Sequence, residues 1–207
     1  VLDKAIALGP VALAILFLPE LRQAIEGMVS FVPEIVESKT EARTVEELVA
    51  AAAELSAQKI GALIVIERTA SLNEYVSNGV ELGARVSAPL LGSIFFENNP
   101  LHDGAAIIRG DQIVAAACRL PLSESRGLDR HLHMRHRAAV GVTESCDAVA
   151  IVVSEERGAI SVAVEGALEK MAGPQELRDR LNRELRGDQH EDSRRRARFR
   201  RREALPK

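Results

Sequence analysis

Residues 61–66 (GALIVI) form a continuous apolar run enriched in β-branched side chains. A strand with one wet face alternates apolar and polar residues; a run without alternation predicts a strand buried on both faces. Working outward, residues 104–108 (GAAII) and 112–117 (QIVAAA) flank Arg109-Gly110-Asp111 in a hairpin-like pattern. Residues 147–153 (DAVAIVV) and 158–164 (GAISVAV) repeat that pattern around Glu155-Glu156-Arg157-Gly158. The Arg-Gly-Asp string invites a cell-adhesion reading, but between two apolar runs it is read as a tight turn.

Helices fill the gaps. Thr44 followed by Glu47 makes a capping box, predicting a helix over 45–58 that buries Val45, Leu48, Val49, Ala52 and Leu55. Ser71 with Glu74 makes a second, with Gly79 at the end of that short helix. Residues 87–96 (SAPLLGSIFF) predict another, and Pro174 opens a last amphipathic helix running to about Arg186. Hairpins break strict strand–helix alternation, so the core is an α/β domain with a mixed sheet.

The 207 residues suffice for one domain plus an appendage, and 46% hydrophobic with 28% charged residues excludes a disordered or collagen-like chain. Aromatics are only 3%, too few for a platform that stacks single-stranded nucleic acid. Cys118 and Cys146 offer neither a disulfide framework nor a structural zinc site, which makes a reducing, intracellular setting the default. The net charge of −3 hides an asymmetry. Residues 188–207 hold seven Arg and one Lys against four acids, a balance of +4, leaving −7 for residues 1–187.

The ends of the chain stay open to more than one reading. Residues 5–18 (AIALGPVALAILFL) are apolar but too short for a bilayer, which needs about 20 residues. Lys4 is the only flanking positive charge and no A-x-A site follows, so the stretch does not read as a secretory signal. It is either a buried helix or the stub of a membrane anchor. Leu21, Ile25 and Met28 then share one face of an amphipathic helix, and 31–43 reads as a connector. At the other end, 193–202 (SRRRARFRRR) would attract nucleic-acid phosphates or anionic lipid headgroups, or simply be a solvated tail.

Three polar clusters interrupt the apolar runs. Asn98-Asn99-Pro100-Leu101-His102-Asp103-Gly104-Ala105 sets a carboxylate beside an imidazole, able to hold a divalent ion or accept a proton, with small residues that let a ligand approach the backbone. A turn would also explain it. Arg135, His136 and Arg137 place three donors at the apparent start of a helix, an arrangement suited to phosphate. The spacing of His131, His133 and His136 raises zinc, but no Cys or carboxylate completes a set. Ser154-Glu155-Glu156, at the end of a buried strand, could complete a metal site with His102 and Asp103, or form an exposed β-turn.

In order along the chain, Leu101-His102-Asp103-Gly104-Ala105, Leu120-Pro121-Leu122-Ser123, Arg135-His136-Arg137-Ala138-Ala139 and Val153-Ser154-Glu155-Glu156 resemble the diadenylate cyclase family. The similarity runs from about Pro10 to Leu168. It is closest to the membrane-anchored bacterial branch, and Leu18-Pro19-Glu20-Leu21-Arg22 is similar to the segment leaving that branch's last transmembrane helix. The resemblance implies a mixed, twisted central β-sheet flanked by helices, and the condensation of two ATP molecules to cyclic di-AMP and two pyrophosphates. One pocket cannot offer both a 3′-hydroxyl and an α-phosphate in line, so two protomers must face each other. By the same resemblance, Asp103 stands at the attacking hydroxyl, and Gly104 and Ala105 pack at the nucleoside. Arg135, His136 and Arg137 hold phosphates; Leu120 contacts adenine; Ser154 lies near the phosphates; His102 and Glu156 hold Mn²⁺ or Mg²⁺. The implied organisation is a membrane-proximal segment over 1–30, a catalytic domain over 31–172, a C-terminal helix over 173–187 and a basic tail over 188–207. The implied location is the bacterial cell membrane with a cytoplasmic catalytic domain, the tail touching anionic lipid and no specific nucleic acid bound.

The chain departs from the family pattern at three places. His133-Met134 replaces the usual Gly-Thr, Arg119 stands where relatives carry an aromatic, and Gly83-Ala84 replaces Asp-Ala. A lost hydroxyl–phosphate bond costs about 1.5–3 kcal/mol. The alternative reading is therefore a catalytically weakened module that binds ATP or cyclic di-AMP. Asp103 argues against it, because binding phosphate alone does not call for a carboxylate.

Overall fold

A computed structural model describes residues 40–125 and 133–185. The expected anchor stub, the face made by Leu21, Ile25 and Met28, the first part of the connector, His131 and the Arg-rich tail lie outside these residues. The chain divides into two compact units, Val1–Glu41 and Ala42–Lys207, and the second carries the fold.

Its elements run α1 (40–58), β1 (Ala62–Glu67), α2 (Asn73–Val76), β2 (Val80–Arg85), α3 (Ala88–Phe95), β3 (Ala105–Arg109), β4 (Gln112–Cys118), α4 (Met134–Ser145), β5 (Ala148–Val153), β6 (Ile160–Val164), β7 (Ala167–Lys170) and α5 (174–185). The strands make one seven-stranded sheet in the order β2-β4-β3-β1-β5-β6-β7. The apolar run of 61–66 is therefore the middle strand. It pairs parallel with β3 (Ile64 opposite Ala106) and antiparallel with β5 (Ile64 opposite Ile151). All other pairings are antiparallel, so the sheet is mixed.

The two-residue period of β1 explains the layers. Ala62, Ile64 and Ile66 point to the face covered by Val45, Leu48 and Leu55 of α1, Leu91 and Phe95 of α3, and Leu177 and Leu181 of α5. Leu63 and Val65 point to the other face, where Ala138, Ala139 and Val142 of α4 pack with Leu72. Both faces are dry, as the absence of alternation required. Removing one such side chain, as in Ile64→Ala, costs about 2–5 kcal/mol in a core of this density.

Two capping expectations are corrected. The first helix begins at 40, so Thr44 and Glu47 lie inside it. The Glu47 carboxylate instead accepts the Ala88 N–H at 2.8 Å, capping the start of α3 from another element. Gly79 is not a left-handed helix end; a Cβ there would sit 2.4 Å from Cys118 Sγ and 2.7 Å from the Ala116 carbonyl, so its role is close packing on β4. The Arg-Gly-Asp string is the β3–β4 turn, with Gly110 at φ +58°. Arg109 spends its guanidinium on Glu67 at 2.6 and 2.8 Å and on Asn73 at 2.7 Å.

Candidate active site

The site lies where β1 begins and β5 ends, Ala62 being paired with Val153. A cavity of about 330 Å³ opens there, lined by Asp103, His133, Met134, Arg135, His136, Val153, Ser154 and Glu155. Three separate stretches of sequence thus converge: the loop before β3, the first turn of α4 and the turn after β5.

Asn99 builds the first of these. Its side chain accepts the Leu101 N–H at 2.9 Å and donates to the Ser93 carbonyl at 2.7 Å. Its carbonyl accepts the His102 N–H at 3.1 Å and the His102 ring Nδ1 at 2.6 Å. A carbonyl only accepts, so Nδ1 is the donor, and in the neutral tautomer the lone pair lies on Nε2. The exposed Asp103 follows directly and reaches the cavity. Gly104 and Ala105, by contrast, face the protein. Ala105 is fully buried among Leu63, Val65 and Ile107. A Cβ at Gly104, whose φ is +127°, would sit 2.7 Å from the Ala117 carbonyl carbon and 2.8 Å from the Cys118 oxygen. Ala117 itself is bulged, at φ +54°, where the β3–β4 register shifts.

The second stretch is the N-terminus of α4. His133 precedes it in an extended conformation and does not cap it; its Nε2 lies 3.2 Å from Glu156 Oε2 instead. The helix dipole and its first N–H groups therefore face the cavity beside Met134, Arg135 and His136, a natural seat for an anion. Arg135 donates from Nη1 to Glu155 at 2.6 Å. His136 is buried, and its Nδ1 has no hydrogen-bond partner. Burial, then the nearby His133 and Arg135, hold its pKa below the ordinary 6.5, so the ring is neutral at pH 7. A buried, unpartnered ring nitrogen at a cavity wall is a position open to a ligand.

Arg137 goes elsewhere. One turn in, it donates from Nε and Nη2 to the Ser123 carbonyl, and it does not line the cavity. Leu120 packs half-buried against the core on the α4 side of the sheet. The Arg119 backbone just before it is held from both sides by the Asn78 side chain, which donates to its carbonyl at 3.1 Å and accepts its N–H at 2.8 Å. Ser154 is buried at the cavity wall, and its hydroxyl accepts the Arg157 N–H at 3.4 Å. Reading the sequence missed Asn78, Gly61 and the pairing of Glu155 with Arg135. Each acts between segments distant in sequence, and no local spacing signals it.

Among the described residues no three His, Cys, Asp or Glu side chains converge as an ion's ligands. The sequence reading that joined His102, Asp103, Glu155 and Glu156 in one metal set is corrected to that extent, since Glu155 pairs with Arg135 and Glu156 with His133. One or two protein donors plus phosphate oxygens nevertheless suit Mg²⁺ or Mn²⁺. The tautomer fixed at His102 leaves the Nε2 lone pair that such an ion needs.

Comparison with known proteins gives the family. The DAC family, described as "DisA bacterial checkpoint controller nucleotide-binding", matches residues 49–168. The cyclic di-AMP synthase CdaA of Bacillus subtilis is 41% identical over 196 residues, covering 93% of this chain and 72% of that protein. A diadenylate cyclase of Listeria monocytogenes is 38% identical over 189 residues, covering 88% and 68%. Among solved structures, a double-cysteine variant of DacA from Staphylococcus aureus superposes with a TM-score of 0.69 at 39% identity, covering 71% of this chain and 98% of that one. A hypothetical membrane-spanning protein from Bacillus cereus gives a TM-score of 0.61 at 34% identity, covering 82% and 88%. The chain belongs to the diadenylate cyclase family. Its class of chemistry is nucleotidyl transfer on a bound nucleotide.

Proposed function

We propose that the chain condenses two ATP molecules into cyclic di-AMP and two pyrophosphates, with the cavity around Asp103 as its nucleotide site. The observation that carries this reading is the convergence of Asp103, the α4 N-terminus with Arg135 and His136, and the Ser154–Glu155 turn on one cavity. Cationic and dipolar donors on one wall suit a triphosphate, and a carboxylate on another suits a hydroxyl that must lose a proton.

Asp103 accepts the proton of the 3′-hydroxyl as that oxygen bonds to the α-phosphorus of the other nucleotide, and the bond from phosphorus to pyrophosphate breaks. Arg135 and the α4 N–H groups stabilise the charge gathering on the phosphate oxygens. His136, neutral, offers Nδ1 to the nucleotide rather than a second positive charge. His102 and Glu156 would hold a divalent ion, and such an ion would supply neutralisation of the charge on the departing pyrophosphate. A cavity of about 330 Å³ fits one nucleotide. Ring closure needs two, so the active form is two protomers with their cavities apposed.

Gly104 and Ala105 support the site from within, by letting β4 approach the loop that carries Asp103, and Leu120 with its clamped neighbour Arg119 forms the edge for adenine. Met134 occupies the first helical position without a hydroxyl, and Ser154 supplies one from the opposite wall. The catalytic domain spans 31–172. The segment before it anchors the protein to the bacterial membrane, a reading supported by the membrane-spanning neighbour, and the basic tail is drawn to anionic lipid by its charge. Among the described residues, no helix is long and apolar enough to cross a membrane.

The test incubates the chain with ATP and Mn²⁺ or Mg²⁺ beside Met134→Thr, and separates the nucleotides by chromatography. Cyclic di-AMP from the wild type, and more from Met134→Thr, is expected. ATP binding without product in either would replace the cyclase with a nucleotide-binding module.

A further inference from the structure

We infer that Glu155 is a positioning residue for Arg135, and that Gly61 is glycine so that this ion pair can lie across the start of β1. The inference rests on the cavity being the nucleotide site, and it gives Glu155 a role separate from those of Asp103 and Glu156.

Three observations combine. Arg135 and Glu155 both line the cavity, and they are joined by one bond, Nη1 to Oε2 at 2.6 Å. A guanidinium has five N–H donors in a planar fork. Only one nitrogen is spent here, so Nη2 and Nε remain for phosphate oxygens while the Nη1 end of the fork is held at Glu155. Second, a Cβ on Gly61 would sit 2.5 Å from Arg135 Nη1, 2.8 Å from Glu155 Oε2 and 3.1 Å from Glu155 Cβ. Gly61 does not have a positive φ, so its backbone does not require glycine. The atoms a side chain would strike are those of the ion pair.

Third, the turn that carries Glu155 is itself held. Ser154 donates its N–H to the Ala159 carbonyl at 2.9 Å and accepts the Gly158 N–H at 2.8 Å. Gly158, at φ +64°, lies against α1, where a Cβ would meet the Ser56 carbonyl at 2.4 Å, and the Ser56 hydroxyl donates to the Gly158 carbonyl. Glu155 is thus carried by a turn fixed to α1, and Arg135 by the first turn of α4. Without the carboxylate, a long side chain with several rotamers would have to be ordered by the substrate at each binding event. Its cost falls on substrate affinity, because the arginine meets phosphate before and during reaction.

The experiment measures kcat and KM for ATP on the intact chain carrying Glu155→Ala, Glu155→Gln, Gly61→Ala, Arg135→Ala or Arg135→Ala with Glu155→Ala. Thermal melting controls for folding. Glu155→Ala should raise KM about tenfold with kcat changed less than about threefold, tenfold being 1.4 kcal/mol. Glu155→Gln, which keeps an acceptor at the same reach, should recover most of the loss. Gly61→Ala should raise KM in the same way although neither charged residue is altered. The double variant should be no worse than Arg135→Ala, since Glu155 acts through Arg135. An unchanged or lowered KM in Glu155→Ala, or additive losses in the double variant, overturns the inference. An unchanged KM in Arg135→Ala itself would instead overturn the placement of phosphate in this cavity.

Discussion

Arg137 donates from Nε and Nη2 to the carbonyl of Ser123 at 3.2 and 2.9 Å, and Ser123 returns its own N–H to the Arg137 carbonyl at 3.0 Å. The Ser123 hydroxyl donates to Glu144 at 2.9 Å, about two turns further along α4. The segment after β4 is thereby stapled along the helix whose first turn faces the cavity. Of the Arg-His-Arg string, the first two members address the site and the third holds the framework behind it.

Arg137→Ala should therefore lower stability by about 1.5–3 kcal/mol, the range for hydrogen bonds from a charged donor, because the buried Ser123 backbone loses its partner. Arg137→Lys should recover part of it, a single ammonium replacing a fork. Urea denaturation measures both. Unchanged stability with a raised KM for ATP would return Arg137 to the phosphate-binding group.

Gly104→Ala carries a similar choice. If the glycine served only the approach of a nucleotide, adding a methyl group would leave the free protein's stability alone. The structure puts the strain inside the fold, with φ at +127° and β4 backbone 2.7 Å from the added carbon. A loss of about 2–4 kcal/mol in the absence of nucleotide is expected, from an unfavourable backbone conformation together with overpacking. Thermal melting without ligand decides it, and a shift of less than a degree would restore the nucleotide-only role.

These two cases show what the sequence could convey. GALIVI was legible as a strand buried on both faces because its pattern is complete within six residues. The hairpins around Arg109-Gly110-Asp111 and Glu155–Gly158 were legible for the same reason. β2 escaped notice: it is an edge strand, exposed at Val80, Glu81, Gly83 and Arg85, so nothing in its composition marks burial. β7, the other edge, is likewise mostly exposed. At the site, the ordered motifs named Asp103, Arg135, His136 and Ser154, which the fold brings to one cavity. They gave no hint that Arg137 turns away, that Gly104 answers to β4, or that Glu47 caps a helix forty residues on. Those facts depend on contacts between distant segments.

Asp103→Asn tests the chemistry. The side chain is exposed, so the substitution should change stability by less than about 0.5 kcal/mol. The amide keeps the shape but cannot take a proton at neutral pH, so cyclic di-AMP formation should fall by about 10²-fold or more while ATP binding persists. Chromatographic product analysis and calorimetric ATP titration, run on the same preparation, separate the two quantities. Product at wild-type rate from Asp103→Asn would require another base.

The last prediction concerns pH. Burial, aided by His133 and Arg135, keeps the His136 pKa below its ordinary 6.5 in the folded chain. Above pH 6.5 the ring is neutral whether folded or unfolded and contributes no pH dependence. As pH falls below 6.5 the unfolded chain takes up a proton that the folded chain still refuses, so stability declines, by at most about 1.4 kcal/mol per pH unit. The decline from this ring ends once pH passes below the folded value. Glu67 acts lower: burial pushes its pKa up, but the Arg109 pair and the Leu72 N–H outweigh that and hold it below 4.5, so its share is lost as pH falls beneath that value. The window from 6.5 down to 4.5 is thus where His136 is read. Unfolding free energies at half-unit pH steps should slope downward there in the wild type, and His136→Gln should flatten the slope whatever its effect on absolute stability. Equal slopes in both chains would mean that His136 takes up its proton as readily folded as unfolded, and that its burial does not hold the ring neutral below pH 6.5.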